Sequence, residues 1–251
     1  MRWSAFPQRS YRGGFLTIVT YGRTGSTALQ ATLNALPGVL VRGENYSAMR
    51  GLEGYVQALA ETSDRHRGRR PDHPWFGAAE LQPSAALADL REHVIRQVLR
   101  PQPQTRWLGF KEVRYEPGHF EDHDLLLAHL IFLGRLFPGL RYLVNVRDPR
   151  AVSRSGWWPA HGDALEVLDR TRTRLRVATQ DLNAFWGGER AVCLEYEEWN
   201  ADPGVLIDAF ARLGLPQDDA AVLSTLSRHL SHGPSGQISV GTQDPDDGGA
   251  R

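Results

Sequence analysis

The stretch that decides the fold is FLTIVTYGRTGSTAL, residues 15–29. Its apolar, β-branched first half predicts a strand that stops at Gly22, and the leucines that follow recur at helical spacing, at Leu29, Leu33 and Leu36. Gly25 gives the short turn its backbone freedom, and Ser26 or Thr27 is expected to cap the helix. The sequence therefore predicts a strand, a tight turn and the start of a helix in direct succession.

The turn between this strand and helix has the chemistry of an anion-binding loop. Backbone N–H groups and the positive end of a helix dipole suit a phosphate, and Arg23 adds charged donors that can hold an anion bidentately. The loop does not match G-x-x-x-x-G-K-[ST], which needs Lys where Ser26 stands, and it does not match G-x-G-x-x-G. An ordinary connection between a strand and a helix is the alternative for this stretch taken alone.

Length and composition limit the classes of function. A chain of 251 residues fits one α/β domain or two small ones with a substantial core. The formal net charge is zero, which gives no bulk electrostatic reason to expect a nucleic acid or a membrane as partner. The single cysteine, Cys193, excludes a disulfide framework. No stretch has the apolar length of a membrane span and the N-terminus lacks a signal peptide's apolar region, so we expect a cytoplasmic protein.

Two charged residues follow predicted strands. A short strand at Val39–Val41 leads to Glu44, and ligands of open parallel sheets gather at the carboxyl ends of strands, so Glu44 is expected to face the same crevice as Arg23. Lys111 follows another short strand and is the only lysine among 29 basic residues. Such a lysine is expected where a compact ammonium group is needed and the planar guanidinium group of Arg cannot replace it. The alternative is that this lysine has been retained by chance.

A second strand-to-helix unit carries a further basic strand end. The run RYLVNVR, residues 141–147, predicts a buried central strand that ends at Arg147. Asp148 is expected to cap the next helix and Pro149 to open it. Ser155 lies eight residues after Arg147, about two helical turns, so both side chains are expected to reach one anion. Salt-bridged surface arginines are the alternative.

The alternation of strands with helices predicts a parallel sheet in one domain. We expect an N-terminal arm at residues 1–14, an α/β domain at residues 15–230, and a partly disordered Gly- and Asp-rich tail at residues 231–251. His119 and His123 lie among acidic residues, but no third ligand stands at a sensible spacing, so no metal is expected.

Two anion sites on separate strand-to-helix units suggest a nucleotide with phosphates at both its 5′ and 3′ ends. Here the sequence resembles the sulfotransferases that use 3′-phosphoadenosine-5′-phosphosulfate (PAPS), in particular the bacterial and carbohydrate-type members. YGRTGST at residues 21–27 resembles the family's 5′-phosphosulfate loop, and YLVNVRDPR at residues 142–150 with Ser155 resembles its 3′-phosphate element. LEYEEW at residues 194–199 is a later match, whose tyrosine lies near the adenine in the family.

The resemblance implies a P-loop-like parallel sheet flanked by helices and transfer of a sulfuryl group from PAPS to a hydroxyl or amine of a carbohydrate or small-molecule acceptor. It implies that PAPS is bound by Gly22, Arg23, Thr24, Gly25, Ser26, Thr27, Arg147, Ser155 and Tyr196. It also implies catalytic roles for Arg23 and Glu44. By position, Lys111 is expected to steady a sulfonate oxygen or to orient Glu44. Arg23 stands where cytosolic members carry Lys. Glu44 resembles the glutamate base of carbohydrate-type members, and His119 or His123 is next in line as the base.

Two other functions stay open at this point. A small-molecule kinase is disfavoured by the missing G-K-[ST] and by the lack of a Mg²⁺-binding carboxylate after an apolar strand, Asp148 being the nearest. A binding module without catalysis is disfavoured by the presence of Glu44 and Lys111. The sequence predicts neither the acceptor's identity nor the oligomeric state.

Overall fold

Five parallel strands form one sheet with β1 at its centre. The computed structural model describes residues 11–231. In chain order the strands are β1 (Gly14–Thr20), β2 (Val39–Arg42), β3 (Trp107–Glu112), β4 (Arg141–Val146) and β5 (Ala191–Glu195). Their spatial order is β2-β3-β1-β4-β5, and each pairing is parallel. The predicted single α/β domain with a P-loop-like parallel sheet is confirmed.

Helices cover both faces of this sheet. They are α1 (Ser26–Ala35), α2 (Ala48–Arg65), α3 (Pro83–Val94), α4 (His123–Leu136), α5 (Pro149–Ser153), α6 (Ala164–Trp186), α7 (Tyr196–Ala201), α8 (Gly204–Arg212) and α9 (Asp219–Ser231). Short 3₁₀ turns lie at Ala78–Glu80 and Trp158–Ala160, and a π-helical turn at Ile95–Leu99 continues α3. Within residues 11–231 no helix has the length and apolar character needed to cross a membrane.

The side chains of β1 alternate between two apolar layers. Phe15 and Val19 belong to the layer that α4 and α6 cover, whereas Leu16 and Ile18 belong to the layer that α1, α8 and α9 cover. Burial on both faces explains why this strand is a continuous apolar run.

The predicted cap of α1 is wrong. Ser26 is already the first residue of the helix, and the cap position is taken by Gly25 without any side-chain cap. Gly25 has a φ of 80°, a left-handed conformation that costs other residues strain. The tight turn therefore places the glycine where a capping serine or threonine would otherwise stand.

The predicted cap of the helix after β4 is confirmed, but the position of Ser155 is not. The Asp148 carboxylate accepts a hydrogen bond from the Arg150 N–H, and Pro149 opens α5. The helix ends at Ser153, so Ser155 lies in the turn beyond it rather than two helical turns along it. Residues 1–10 of the predicted arm and residues 232–251 of the predicted tail lie outside the described residues.

A buried polar cluster joins the loop after β1 to the end of β4. The Asn145 Nδ2 donates a hydrogen bond to the Thr24 carbonyl over 2.9 Å, and the Asn145 Oδ1 accepts one from the Trp199 Nε1 over 2.9 Å. The Thr20 hydroxyl lies 2.5 Å from the Asn145 carbonyl, to which it donates, and 2.7 Å from the Thr24 hydroxyl. Asn145 is fully buried, so these bonds are shielded from water and set the position of the loop.

We expect Asn145→Ala to lower the free energy of unfolding by about 2–4 kcal/mol, because it leaves the Thr24 carbonyl and the Trp199 indole buried without partners. Urea unfolding followed by tryptophan fluorescence measures this change. Asn200→Ala, at a half-buried position on α7, is the control and should change the free energy by less than about 0.5 kcal/mol. Equal losses of stability in the two variants would contradict the assignment.

Candidate active site

The loop after β1 and the residues after β4 meet because these two strands are neighbours in the sheet. The Tyr21 hydroxyl donates a hydrogen bond to the Arg147 carbonyl over 2.6 Å and accepts one from the Arg147 N–H over 2.9 Å. Arg147 Nη1 donates to the Arg23 carbonyl over 3.1 Å. The two sequence motifs predicted to bind anions are therefore in direct contact.

The loop leaves backbone donors free at the start of α1. The Gly25 carbonyl accepts hydrogen bonds from the Ala28 and Leu29 N–H groups. For the N–H groups of residues 24–27, by contrast, the structure gives no acceptor anywhere in residues 11–231. Free N–H groups together with the helix dipole favour an anion at this end of α1.

The side chains of the loop differ in what they offer a ligand. The Thr24 hydroxyl is buried and donates to the Tyr21 carbonyl over 3.1 Å, so Thr24 presents only its backbone to the crevice. The Ser26 side chain is buried at the first position of α1, and Thr27 is exposed beside it. Arg23 is exposed and its Nε donates to the Ser155 Oγ over 3.0 Å. Arg23 thus links the loop directly to the turn after α5.

Two glycines of the loop are required by aromatic neighbours. A Cβ atom at Gly22 would lie 2.4 Å from the Trp157 ring, and one at Gly25 would lie 2.3 Å from the Tyr196 ring. Both distances are shorter than any ordinary contact. The loop therefore lies against both Trp157, which is 53% exposed, and Tyr196, whose ring is nearly perpendicular to that of Trp199.

Arg147 has donor capacity that the protein does not use. Its guanidinium lies over the Tyr196 ring, 4.2 Å from the ring centre. Its Nε is buried without a hydrogen-bond partner, and the nearest carboxylate oxygen, on Glu197, is 3.8 Å away, too far for a hydrogen bond. A buried guanidinium N–H without an acceptor is costly, which suits a site where a bound anion supplies the acceptor.

Glu44 and Lys111 meet at the ends of the neighbouring strands β2 and β3. Lys111 Nζ lies 3.1 Å from Glu44 Oε1 and 3.4 Å from the Thr27 hydroxyl at the start of α1. The Lys111 side chain is 8% exposed, while that of Glu44 is 37% exposed and faces the crevice. A single buried ammonium group thus joins the exposed carboxylate to the N-terminal end of α1.

Arg114 and Glu112 also belong to this group, although the sequence pattern assigned them no role. Arg114 Nη1 lies 2.8 Å from Glu112 Oε1 and 3.6 Å from Glu44 Oε2. The signal that pointed to them is the run of charged residues that begins at Lys111, where an apolar strand ends. That signal marks a crevice but does not tell which of the charges reach it.

The two histidines are placed differently. His119 Nδ1 lies 3.4 Å from Glu116 Oε2, and burial, with Arg114 and Arg50 adding to it, lowers the pKa of His119. Burial raises the pKa of Glu116 to about 7. His123 instead contacts Asp181 of α6 over 2.7 Å. In residues 11–231 no three His, Cys, Asp or Glu side chains come together as a metal site.

A cavity of about 580 Å³ lies next to Arg147, between α5 and α6. Its wall contains Arg150 and Arg172, but more carboxylates than guanidinium groups: Asp148, Asp163, Glu166 and Asp169. This excess of negative charge disfavours a phosphate. The loop after β1 remains the better place for an anion. Cys193 adds no nucleophile, because burial raises the pKa of its thiol to about 11.

Three solved structures are similar to this chain to different degrees. The sulfotransferase domain from the Synechococcus PCC 7002 olefin synthase aligns with a TM-score of 0.53 and 21% identity, over 90% of this chain and 81% of that one. The sulfotransferase domain from the curacin biosynthetic pathway aligns with a TM-score of 0.47 and 16% identity, over 86% of this chain and 78% of that one. Sulfotransferase STF1 from Mycobacterium tuberculosis H37Rv aligns with a TM-score of 0.46 and 14% identity, over 87% of this chain and 72% of that one. No curated protein sequence gives a match.

A sequence model of one family, described as the sulfotransferase family, matches residues 16–219. The match includes the loop after β1, the ends of β2 and β3 with Glu44 and Lys111, and the segment from Arg147 to Tyr196. It therefore contains every residue of the crevice described above. The chain belongs to the sulfotransferase family.

Proposed function

We propose that this protein transfers a sulfuryl group from PAPS to a hydroxyl or amine of a carbohydrate or small-molecule acceptor. The observation that carries the proposal is the contact between Arg147 and the Arg23 carbonyl, over 3.1 Å. It places two sets of unused anion donors side by side, as a nucleotide with a phosphate at each end requires. Membership of the sulfotransferase family supports the same donor.

In this proposal the free N–H groups of residues 24–27 and the Arg23 guanidinium hold the 5′-phosphosulfate, together with the hydroxyls of Ser26 and Thr27. Arg147, whose buried Nε has no acceptor in the described protein, and Ser155 hold the 3′-phosphate. The Tyr196 ring lies beside Gly25 and under Arg147, which is consistent with a place near the adenine.

PAPS supplies an activated sulfuryl group on a phosphate leaving group. Glu44 is the base that takes the proton of the acceptor as the acceptor oxygen or nitrogen bonds to sulfur. Arg23 and the loop N–H groups stabilise the electron pair left on the 5′-phosphate oxygen when the S–O bond breaks. Lys111 holds Glu44 and lies close enough to α1 to stabilise a sulfonate oxygen.

The acceptor class and a cytoplasmic location are parts of the same proposal. Glu44 is only partly exposed, which fits an acceptor that reaches it with a single hydroxyl or amine. One cysteine in 251 residues fits a reducing compartment.

Removal of the Arg147 guanidinium tests the 3′-phosphate assignment. We expect Arg147→Ala to raise the Kd for 3′,5′-adenosine bisphosphate at least about 30-fold, or about 2 kcal/mol, because charge-assisted bonds to a phosphate are lost. Isothermal titration calorimetry measures this Kd. The comparison ligand is ATP-Mg²⁺, which a kinase would prefer. Arg141→Ala, at the opposite end of β4, is the control. Unchanged affinity in Arg147→Ala, or tighter binding of ATP-Mg²⁺, would reject the assignment.

Glu44→Gln separates binding from catalysis. The variant should bind the bisphosphate as well as the wild type does but lose about 10²–10⁴-fold in kcat, since an amide cannot take up a proton. Transfer from labelled PAPS to a panel of alcohols, amines and sugars gives kcat, and Glu61→Gln on the exposed face of α2 is the control. Near-normal turnover in Glu44→Gln would move the base elsewhere, with His119 as the next candidate.

Lys111→Arg tests the argument from the lone lysine. The buried ammonium lies between Glu44 and Thr27, and a guanidinium is broader than an ammonium, so we expect the exchange to displace one of these two partners. We expect kcat to fall at least about tenfold with the PAPS KM nearly unchanged. The control is the reverse exchange at a site outside the crevice, Arg141→Lys, which should leave kcat unchanged. A silent Lys111→Arg would mean that the lysine persists there by chance.

A further inference from the structure

Glu112 is a buried carboxylate at the end of β3 to which the proposed mechanism gives no role. It is 4% exposed. Its Oε1 accepts hydrogen bonds from the Val113 N–H over 2.9 Å and from Arg114 Nη1 over 2.8 Å, and its Oε2 accepts one from the Ser47 N–H over 2.7 Å. Although burial acts in the opposite direction, these donors hold the pKa of Glu112 below its ordinary value. The buried group is therefore an ionised carboxylate surrounded by donors.

The bond to Ser47 fixes a strained segment. Tyr46 and Ser47 have φ values of 58° and 57°, so two successive residues other than glycine adopt the left-handed conformation. Packing contributes little to holding Tyr46 there, because the residue is 81% exposed. Ser47 is also the cap position of α2 and makes no side-chain cap. The bond from the Ser47 N–H to Glu112 ties this strained segment to β3.

This strained segment begins two residues after Glu44, and the Arg114 side chain lies close to both the segment and Glu44. The Arg114 guanidinium contacts Glu112 over 2.8 Å, lies 3.6 Å from Glu44 Oε2, and covers the Tyr46 ring at 4.2 Å. Glu44 is thus held on one oxygen by Lys111 and approached on the other by Arg114. Glu112 fixes the backbone after Glu44 through Ser47 and the cation beside Glu44 through Arg114.

We propose that Glu112, acting through Arg114 and the Ser47 backbone, is a positioning residue that holds Glu44 in place for proton transfer. The inference rests on the proposed role of Glu44 as the base. It makes Glu112 a group that never touches the acceptor and still controls the rate. A displacement of the base by about 1 Å can cost about 10²-fold in rate.

Glu112→Gln is the test variant because it keeps the size of the side chain. Its NH₂ group cannot accept a hydrogen bond, so at least one of the three donors around the position loses its partner. Glu53→Gln is the matched control: Glu53 lies on α2, is also buried, and contacts His129 over 2.6 Å rather than the segment after Glu44. A general loss of stability would affect both variants alike.

Three measurements on the full chain decide the matter. Hydrogen exchange at the Ser47 amide should be at least about tenfold faster in Glu112→Gln and unchanged in Glu53→Gln. Release of 3′,5′-adenosine bisphosphate from PAPS with water as acceptor should show kcat lower by about 10–10²-fold in Glu112→Gln alone, with the PAPS KM unchanged. Calorimetry with the bisphosphate should give the same Kd for all three proteins.

The outcomes distinguish a failure of the proposed function from a failure of the positioning role of Glu112. A wild-type protein that fails to bind the bisphosphate, or that consumes PAPS neither with water nor with any acceptor of the panel, would overturn the proposed function, and this inference with it. A wild type that does both, with Glu112→Gln keeping its kcat or its Ser47 exchange rate, would overturn the positioning role alone. So would an equal fall in kcat in Glu53→Gln.

Discussion

The hydrogen bonds of Asn145 are the constraint on which the rest of this site depends. A fully buried amide at the end of β4 binds the Thr24 carbonyl in the loop after β1 and the Trp199 indole after β5. These three segments are distant in sequence, and no apolar contact would fix their spacing as closely as bonds of 2.9 Å. Because the loop is held to β4, the residues that follow β4 lie against it.

The charges of the crevice divide into two groups on either side of α1. On the β4 side, Arg23 has no ion pair within residues 11–231, and Arg147 has only the Glu197 carboxylate at 3.8 Å there. Both lie beside backbone N–H groups for which that part of the chain supplies no acceptor, an arrangement that favours a bound anion. On the β3 side, Lys111 and Arg114 are paired with Glu44 and Glu112, so the charges there are mutually compensated. The first group is suited to hold an anion, and the second contains Glu44, the carboxylate that we propose as the base.

The fold and the proximity of the strand ends could be predicted from the sequence, because both follow from regular patterns. Alternation of strands and helices predicts a parallel sheet, and a parallel sheet brings Glu44, Lys111 and Arg147 to the same edge. Sequence reasoning could not find the role of Asn145, which in the apolar run YLVNV has no local sign of partners after β1 and β5. It also misplaced the cap of α1, because Gly25 takes that position in a left-handed conformation, and the position of Ser155, because α5 ends at Ser153.

The central claim is that one nucleotide is held at both ends by the loop after β1 and the residues after β4. The most direct measurement compares the calorimetric Kd of 3′,5′-adenosine bisphosphate with those of adenosine 5′-phosphate and adenosine 3′-phosphate. We expect the bisphosphate to bind at least about 10²-fold more tightly than either monophosphate, because each phosphate adds charge-assisted hydrogen bonds. A bisphosphate that binds no more than about threefold better than the 5′-monophosphate would contradict the claim, because Arg147 would then hold no phosphate.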